Sequence, residues 1–175
     1  MGRIVTEQWL KADLDQVFAF FSVPENLPKL MPPEMAVRLE RLELRPPSRS
    51  ASVVVESGTE SGQIAGPGSL IEISFRLFPL LPFRGRWVAE ILEYEPLSYF
   101  LDTQRSGPMR TWRHRHSFRS ETRNGANGTI VRDEVEYELP FGILGRVADF
   151  LFVERMMQRT FESRQIQLGR IVRGG

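Results

Sequence analysis

The chain has 175 residues, 41% of them hydrophobic, and its 23 basic and 22 acidic residues leave a formal net charge of +1. This length suits one domain with one core, and the near-neutral charge argues against a nucleic-acid partner because no global positive field gathers phosphate groups. Cysteine is absent, which excludes disulfides, a thiolate nucleophile and Cys-ligated metal. We expect a single domain over residues 1–172 and a short tail at 173–175.

Neither a secretory leader nor a membrane-spanning helix is predicted. Residues 1–10 mix Arg3, Glu7 and Gln8 with apolar residues and lack the continuous apolar core of a signal peptide. The longest apolar stretch is Leu77–Phe83, which contains two prolines and is far shorter than the roughly 20 residues that a spanning helix needs. These features predict a cytoplasmic protein.

The first predicted elements are a strand and two short helices. Residues Arg3–Leu10 form the strand, and Asp13 followed by Gln16 is typical of a capping box at a helix N-terminus. The second short helix covers Glu25–Leu30 and is ended by Pro32 and Pro33, which cannot continue its hydrogen bonds. The first helix turns inward an apolar face made of Leu14, Val17, Phe18 and Phe21.

Turn-forming residues recur from Met35 to Tyr137 and divide this part of the chain into strand-length segments. Two segments alternate clearly, which predicts one dry and one wet face of an antiparallel meander. The sequence sets no strand limits between residues 44 and 68. The predicted dry positions are Ile71, Ile73, Phe75, Trp87, Ala89 and Ile91, and the wet ones are Glu72, Ser74, Arg76, Arg86, Val88 and Glu90.

After Pro140 the apolar period changes to that of a helix, which predicts one helix of about 28 residues. A single amphipathic helix after a sheet must bury its apolar stripe, and the concave side of the sheet is the simplest partner. We therefore predict an α+β, helix-grip fold: a curved antiparallel sheet of about seven strands, two short helices after strand 1, and a long C-terminal helix across the concave face. The stripe comprises Val147, Phe150, Leu151, Met157, Phe161 and Leu168, opposite Arg146, Arg155, Arg159 and Arg170.

The last three strands carry the clearest functional signal. Their alternation places arginines and glutamates on one face, where Arg113 is expected near Glu136 and Arg115 near Glu134 across a hairpin. The other face then points inward. It carries both histidines of the protein among Phe100, Asp102, Gln104, Trp112, His114, His116, Phe118, Asp133, Val135 and Tyr137.

Buried polar groups need partners, and here the histidines and aspartates can supply them to one another. His116 is expected to face Asp133 or Val135, and His114 to face Asp102 or lie one pair away. A His–carboxylate pair fixes one imidazole tautomer and raises the imidazole pKa. Three interpretations stay open: a structural network, an anchor for a ligand, or a proton-transfer site with His114, His116 and Asp133 as candidates. The metal-ligand pattern is weak, and we predict neither a metal nor a cofactor.

The element order and several short motifs resemble the START-like (SRPBCC, helix-grip) superfamily, in particular its bacterial cyclase/dehydrase-like ligand-binding members. The motifs are Phe100-x-Asp102-x-Gln104, Gly107-Pro108, Trp112-x-His114-x-His116-x-Phe118 and Asp133-x-Val135-x-Tyr137-x-Leu139-Pro140. This resemblance implies a cavity between the sheet and the C-terminal helix, with an entrance near the second short helix. It implies no catalytic role for any of these residues.

Three functions are compatible with these observations. The first is binding of a small, largely apolar molecule, such as a lipid, polyketide or isoprenoid-like compound. The second is a polyketide cyclase/dehydratase-type enzyme with a His–Asp base and Tyr137 or Trp112 as donors. The third is interaction of the apolar loop 77–83 with a membrane surface or with a protein partner, including a second copy in a homodimer. The predicted ligand-binding residues are Phe75, Trp87, Phe100, Asp102, Gln104, Trp112, His114, His116, Asp133 and Tyr137. Met156 and Met157 are expected to pack in the core, with adaptable lining of an apolar cavity as the alternative.

Overall fold

The computed structural model describes residues 1–47, 63–76, 83–140, 142 and 152–174. Within them, seven strands form one antiparallel sheet in the order β1-β7-β6-β5-β4-β3-β2. The strands are β1 (Gly2–Leu10), β2 (Arg38–Glu43), β3 (Leu70–Phe75), β4 (Gly85–Glu95), β5 (Tyr99–Ser106), β6 (Thr111–Ser120) and β7 (Thr129–Glu138). The helices are α1 (Leu14–Ser22), α2 (Leu27–Leu30) and α3 (Glu154–Gly174), with 3-10 turns at Pro24–Asn26 and Pro33–Met35. The predicted α+β architecture is confirmed.

Helix α1 begins where the sequence predicts, but the capping box is wrong. Asp13 occupies the N-cap position, yet among the described residues its side chain makes no capping hydrogen bond. The backbone N–H of Gln16 instead donates to the Asp15 carboxylate at 2.9 Å. A carboxylate in the first turn satisfies this orphan donor as well as an N-cap side chain does.

The register of the last three strands decides which side chains face one another. Across β6 and β7, Arg113 lies opposite Glu136, Arg115 opposite Glu134 and His116 opposite Asp133. Across β5 and β6, Asp102 lies opposite His114. The expected pairings are confirmed, and the alternative partner Val135 lies opposite His114.

On the outer face of the sheet, the ion pairs differ from those that the register alone suggests. Glu134 pairs with Arg3 and with Arg132, each at 3.0 Å, because β1 lies beside β7 and brings Arg3 next to it. Arg115 instead covers the ring of Tyr99, 3.7 Å from its centre. Long side chains lean toward diagonal neighbours when these offer a better partner.

One position predicted on the wet face, Ser74, is buried. The Arg84 side chain folds over it and donates from Nε to Ser74 Oγ at 2.9 Å, while Ser74 Oγ in turn donates to Glu40. Alternation along β3 correctly predicts the face of the sheet on which Ser74 lies. It does not predict that long neighbouring side chains bury this residue.

Helix α3 packs its apolar stripe against the sheet. Met157 and Phe161 join Ile4, Val135 and Tyr137 in one core cluster, and Leu168 joins the larger cluster built around Phe18, Phe100 and Phe118. Arg155, Arg159 and Arg170 are exposed as predicted. The helix continues to Gly174, past the expected domain end at residue 172.

Several predicted residues lie outside the described part of the chain. These are Val147, Phe150 and Leu151 of the stripe, Arg146, and residues 77–82 of the apolar loop. Of that loop only Phe83 is described, and its side chain is exposed. None of the helices in the described residues is both long enough and apolar enough to span a lipid bilayer.

Candidate functional site

A cavity of about 220 Å³ lies between the sheet, the short helices and α3. Most of its wall is apolar. The apolar side chains that line it come from the segment between β1 and β2, from the middle of the sheet, and from α3: Phe20, Phe21, Leu27, Leu30, Met31, Met35, Ile71, Ile73, Ala89, Ile91, Met156, Met157 and Phe161.

Four charged or ionisable side chains form a closed ring on the sheet side of the cavity. His114 lies between the two aspartates, with Nδ1 3.5 Å from Asp102 Oδ2 and Nε2 3.1 Å from Asp133 Oδ1. His116 lies between the same two oxygens, with Nε2 3.2 Å from Asp102 Oδ2 and Nδ1 2.7 Å from Asp133 Oδ1. We call these four residues the His–Asp ring. Each imidazole therefore turns one nitrogen toward each carboxylate.

The strand register builds this ring. His114 and His116 lie two positions apart on β6, so both side chains point to the concave face. Asp102 faces His114 from β5, and Asp133 faces His116 from β7. Alternation and register together therefore bring four polar side chains from three adjacent strands together on the concave face of the sheet.

Aromatic side chains hold the two imidazoles in place. The ring of Phe100 stacks on His116 with centroids 4.3 Å apart and an interplanar angle of 28°. Phe161 of α3 meets His114 edge to face at 5.4 Å. This packing limits rotation of both histidines and helps to bury them.

Each carboxylate of the His–Asp ring has one further partner. The indole Nε1 of Trp112 donates to Asp102 Oδ1 at 3.2 Å, which leaves Oδ2 to face the histidines. Arg164 of α3 places Nε 3.8 Å from Asp133 Oδ2, and its guanidinium carbon lies 5.3 Å from the centre of the Phe21 ring. Both Asp133 and Arg164 are buried.

Burial and charge shift the pKa values of the ring in opposite directions. Burial alone would raise the pKa of Asp133, but Arg164 and His116 hold it well below its usual range. Burial lowers the pKa of His114, and the neighbouring His116 lowers it further. For His116 burial also acts to lower the pKa, yet the Asp133 charge and its contact with Asp102 outweigh burial and raise it. His116 is therefore the more readily protonated imidazole.

The pKa of Asp102 is also lowered. Burial alone would raise it, but attraction to His114 and the hydrogen bond from His116 favour the carboxylate. With both aspartates ionised, Arg164 balances one negative charge, and His116, whose pKa is raised, balances the other whenever its imidazole is protonated. This balance explains how the fold can bury so many ionisable groups together.

Seven of the ten predicted ligand-binding residues line the cavity, namely Phe75, Trp87, Phe100, Asp102, Trp112, His114 and His116. The other three do not belong to its wall as the described residues define it. Gln104 closes the β5–β6 turn through its side-chain amide, which donates to Met109 O at 2.7 Å. Asp133 lies behind the histidines, and Tyr137 is fully buried in the core cluster with Ile4 and Met157.

The sequence analysis did not select Arg164, although it lines the cavity and pairs with Asp133. Its position offered a signal, because it follows Phe161 by three residues and precedes Leu168 by four. These spacings place Arg164 on the buried stripe of α3. A charged residue in the middle of an apolar stripe indicates a buried partner, since isolated buried charges are costly.

The site offers two kinds of chemistry. The imidazoles and carboxylates can donate and accept hydrogen bonds at one end of an otherwise apolar cavity. One ligand atom each from Asp102, His114 and His116 also lie within 4.8 Å of one another, which is close enough for the three side chains to share a metal ion.

Comparison with known proteins places the fold in a wider group. A family described as a domain of unknown function, DUF8410, matches residues 11–172. A search of curated proteins finds no match. Among solved structures the chain is similar to TTHA0849 from Thermus thermophilus, with 18% identity, a TM-score of 0.60, and coverage of 99% of this chain and 98% of that one.

Two further solved structures share the fold. A START superfamily protein from Mycobacterium smegmatis has 10% identity and a TM-score of 0.60, covering 98% of this chain and 97% of that one. Ara h 8.0201 has 10% identity and a TM-score of 0.59, covering 99% of both chains. These similarities confirm the START-like fold predicted from the motifs.

Proposed function

The chain belongs to DUF8410, a family of domains of unknown function, and from the geometry of its site we propose that it binds a small, largely apolar molecule. The class includes lipids, polyketides and isoprenoid-like compounds. The observation that carries the proposal is an apolar cavity with a buried polar ring at one wall. Its volume of about 220 Å³ exceeds that of an engineered cavity of about 150 Å³ that binds benzene.

The apolar wall supplies the affinity in this proposal. Burying apolar ligand surface contributes roughly 25 cal/mol per Å² removed from water. The two methionines at the wall, Met156 and Met157, have flexible side chains that can adapt to ligands of different outline. The START-like fold supports the proposal as an analogy, because a cavity under the long helix is a natural ligand site for this architecture.

The His–Asp ring supplies the orientation. Asp102, His114 and His116 present the polar atoms of the ring to the cavity. A hydroxyl or carbonyl group of the ligand would bind there, because a polar ligand atom placed elsewhere on the wall would lose its hydrogen bonds to water. The ligand is therefore expected to lie with its polar end at β5 and β6 and its apolar part toward the short helices.

Filling the cavity tests this proposal. We expect N-phenyl-1-naphthylamine, a fluorescent apolar probe, to bind wild-type protein saturably with one site per chain. The substitution Ala89→Leu adds bulk to the cavity wall and should weaken probe binding at least tenfold. The matched control Ala126→Leu makes the same change in the β6–β7 turn, away from the cavity, and should bind like wild type. Equal binding by both variants, or none by folded wild type, would contradict the proposal.

A second comparison tests the orienting role of the ring. Competition with 1-octanol should weaken in Asp102→Asn, whereas competition with n-octane, which has no polar atom, should not change. The thermal midpoint of the variant, measured in parallel, shows whether it is folded. A variant that weakens both competitors equally would mean that the ring supports the cavity without contacting the ligand.

The second candidate, a cyclase/dehydratase-type enzyme, draws support from the contact between His116 and Asp102 at the cavity wall. The two donors expected from the sequence do not favour it. Trp112 already donates to Asp102, and Tyr137 lies outside the described wall. Turnover that depends on His116 while ligand binding stays intact would support catalysis over binding alone.

The third candidate, an interaction through loop 77–83, rests on Phe83, whose side chain is 77% exposed. Co-sedimentation of wild type, but not of Phe83→Ser, with phosphatidylcholine vesicles would support a membrane role. Concentration-dependent self-association that the same substitution abolishes would support a homodimer. Neither outcome is required by the cavity proposal.

A further inference from the structure

The protons available to the His–Asp ring do not match its contacts. Four nitrogen–oxygen contacts connect the two imidazoles to Asp102 and Asp133, but two neutral imidazoles bring only two N–H donors. While both imidazoles are neutral, two of the contacts therefore bring a nitrogen lone pair against a carboxylate oxygen, and a second proton on His116 would relieve one of them. Such contacts are repulsive unless a cation lies between the two atoms.

One tautomer pair gathers these lone pairs in a single place. If His114 Nε2 and His116 Nδ1 carry the hydrogens, His114 donates to Asp133 Oδ1 at 3.1 Å, and His116 Nδ1 lies 2.7 Å from the same oxygen without the alignment of a hydrogen bond. The remaining nitrogens, His114 Nδ1 and His116 Nε2, then keep their lone pairs and lie 3.5 and 3.2 Å from Asp102 Oδ2. Three electron-rich atoms converge there.

Two of the spacings among these atoms suit a metal ion, and one ligand atom from each of the three residues lies within 4.8 Å of the other two. Asp102 Oδ2 lies 3.5 Å from His114 Nδ1 and 3.2 Å from His116 Nε2. A tetrahedral zinc ion with bonds of about 2.0 to 2.1 Å keeps its ligand atoms about 3.3 Å apart. The two distances to Asp102 therefore need little adjustment when the ion binds.

The surrounding residues are those that metal sites use to orient ligands. The carboxylate of Asp133 is hydrogen-bonded to His114 Nε2 and lies 2.7 Å from His116 Nδ1, and carboxylates placed behind imidazoles in this way orient them toward a metal ion. The Trp112 indole holds Asp102 Oδ1 at 3.2 Å, so that Asp102 offers a single oxygen. Arg164 pairs with Asp133 on its far oxygen and leaves the ion position free.

We propose that Asp102, His114 and His116 bind one divalent transition-metal ion with the ligand preferences of zinc, with its open coordination position facing the cavity. All three residues line the cavity, so the open position is within reach of a water molecule or of an oxygen atom of a bound molecule. Three protein ligands and one open position are the arrangement of reactive zinc sites. The inference does not depend on the identity of the ligand or on ligand binding.

Zinc itself is the probe for the test. Protein without a polyhistidine tag is treated with a chelator, dialysed and titrated with zinc chloride by calorimetry. We expect one zinc ion per chain, a raised thermal midpoint, and an X-ray absorption spectrum with two imidazole ligands. The chain has no cysteine and only two histidines, so a two-imidazole spectrum from the monomer identifies this site.

Two carboxylate-to-amide variants complete the experiment. Asp102→Asn keeps the size of the side chain and should weaken zinc binding at least tenfold, while Asp15→Asn makes the same change on the surface of α1 and should bind as wild type does. Folded wild type that binds no zinc saturably would overturn the inference. So would a spectrum without imidazole, or equal zinc affinity in the two variants. Binding of N-phenyl-1-naphthylamine to the zinc-free protein is measured separately, so failure here leaves the ligand-binding proposal testable.

Discussion

Two neighbouring carboxylates on β7 show how differently the two faces of the sheet treat the same group. Glu134 points outward and pairs with Arg3 and Arg132, whose side chains are 61% and 42% exposed. Asp133 points inward and is buried among His114, His116 and Arg164. Each outer ion pair forms at the expense of the hydration of its charged groups, so it contributes little to the free energy of unfolding. The buried carboxylate of Asp133 has lost its hydration, so the folded state depends on the charged partners that replace this water.

The largest effect should come from removing the inner charge. Asp133→Asn keeps the shape of the side chain but leaves Arg164 and His116 buried without their counter-charge. We expect the free energy of unfolding to fall by about 3 to 5 kcal/mol, as measured by urea denaturation. A loss below about 1 kcal/mol would mean that water compensates these charges.

A smaller loss should follow when the cation of the inner group is removed. Arg164→Met keeps the apolar stem that packs near Phe21 but removes the guanidinium beside Asp133. We expect a loss of about 2 kcal/mol, less than for Asp133→Asn, because His116 remains as a second cation beside the carboxylate. If Arg164→Met proves the more damaging variant in the same denaturation assay, the guanidinium and not the imidazole is the main partner of Asp133.

On the outer face the matched change should have little effect. Glu134→Gln makes the same carboxylate-to-amide substitution one residue further along β7, where the side chain is partly exposed. We expect its free energy of unfolding to lie within about 1 kcal/mol of wild type. A penalty as large as that of Asp133→Asn would remove the distinction between the two faces.

High salt should change the free energy of unfolding by the smallest amount of all these tests, but it should affect only the ion pairs on the outer face. At 1 M ionic strength the screening length is about 3 Å, so exposed pairs are screened and buried ones are not. The difference in unfolding free energy between wild type and Glu134→Gln should then vanish, whereas the difference for Asp133→Asn should persist. Loss of both differences in 1 M sodium chloride would show that solvent reaches the His–Asp ring.

The sequence predicted the two faces of β7 because a strand sends successive side chains to opposite sides. For the same reason it predicted that both histidines point inward. The charge pattern of the hairpin left two registers open, with His116 opposite Asp133 or Val135, and the structure has the first. The order of strands and helices followed from turn residues and from the change of period after Pro140. These features depend on local pattern, which a single sequence displays.

Two features could not be predicted from this local pattern: how deeply a side chain is buried, and which charged residue it pairs with. Alternation assigns Tyr137 to the inner face but does not show that it lies in the core beside Ile4, outside the cavity wall. It likewise gave no reason for Glu134 to choose Arg3 of a strand far away in sequence. Arg164 was overlooked because charged residues are rarely buried, although its spacing placed it on the buried stripe.

If this cavity holds a small, largely apolar molecule, native mass spectrometry should detect that molecule bound to the protein. The protein is purified under mild conditions from the cells that naturally produce it, and any retained compound is extracted and identified. We expect a mass increase of one small molecule per wild-type chain, absent from Ala89→Leu and present in Ala126→Leu. Wild type at its bare mass that also binds no apolar probe would contradict it.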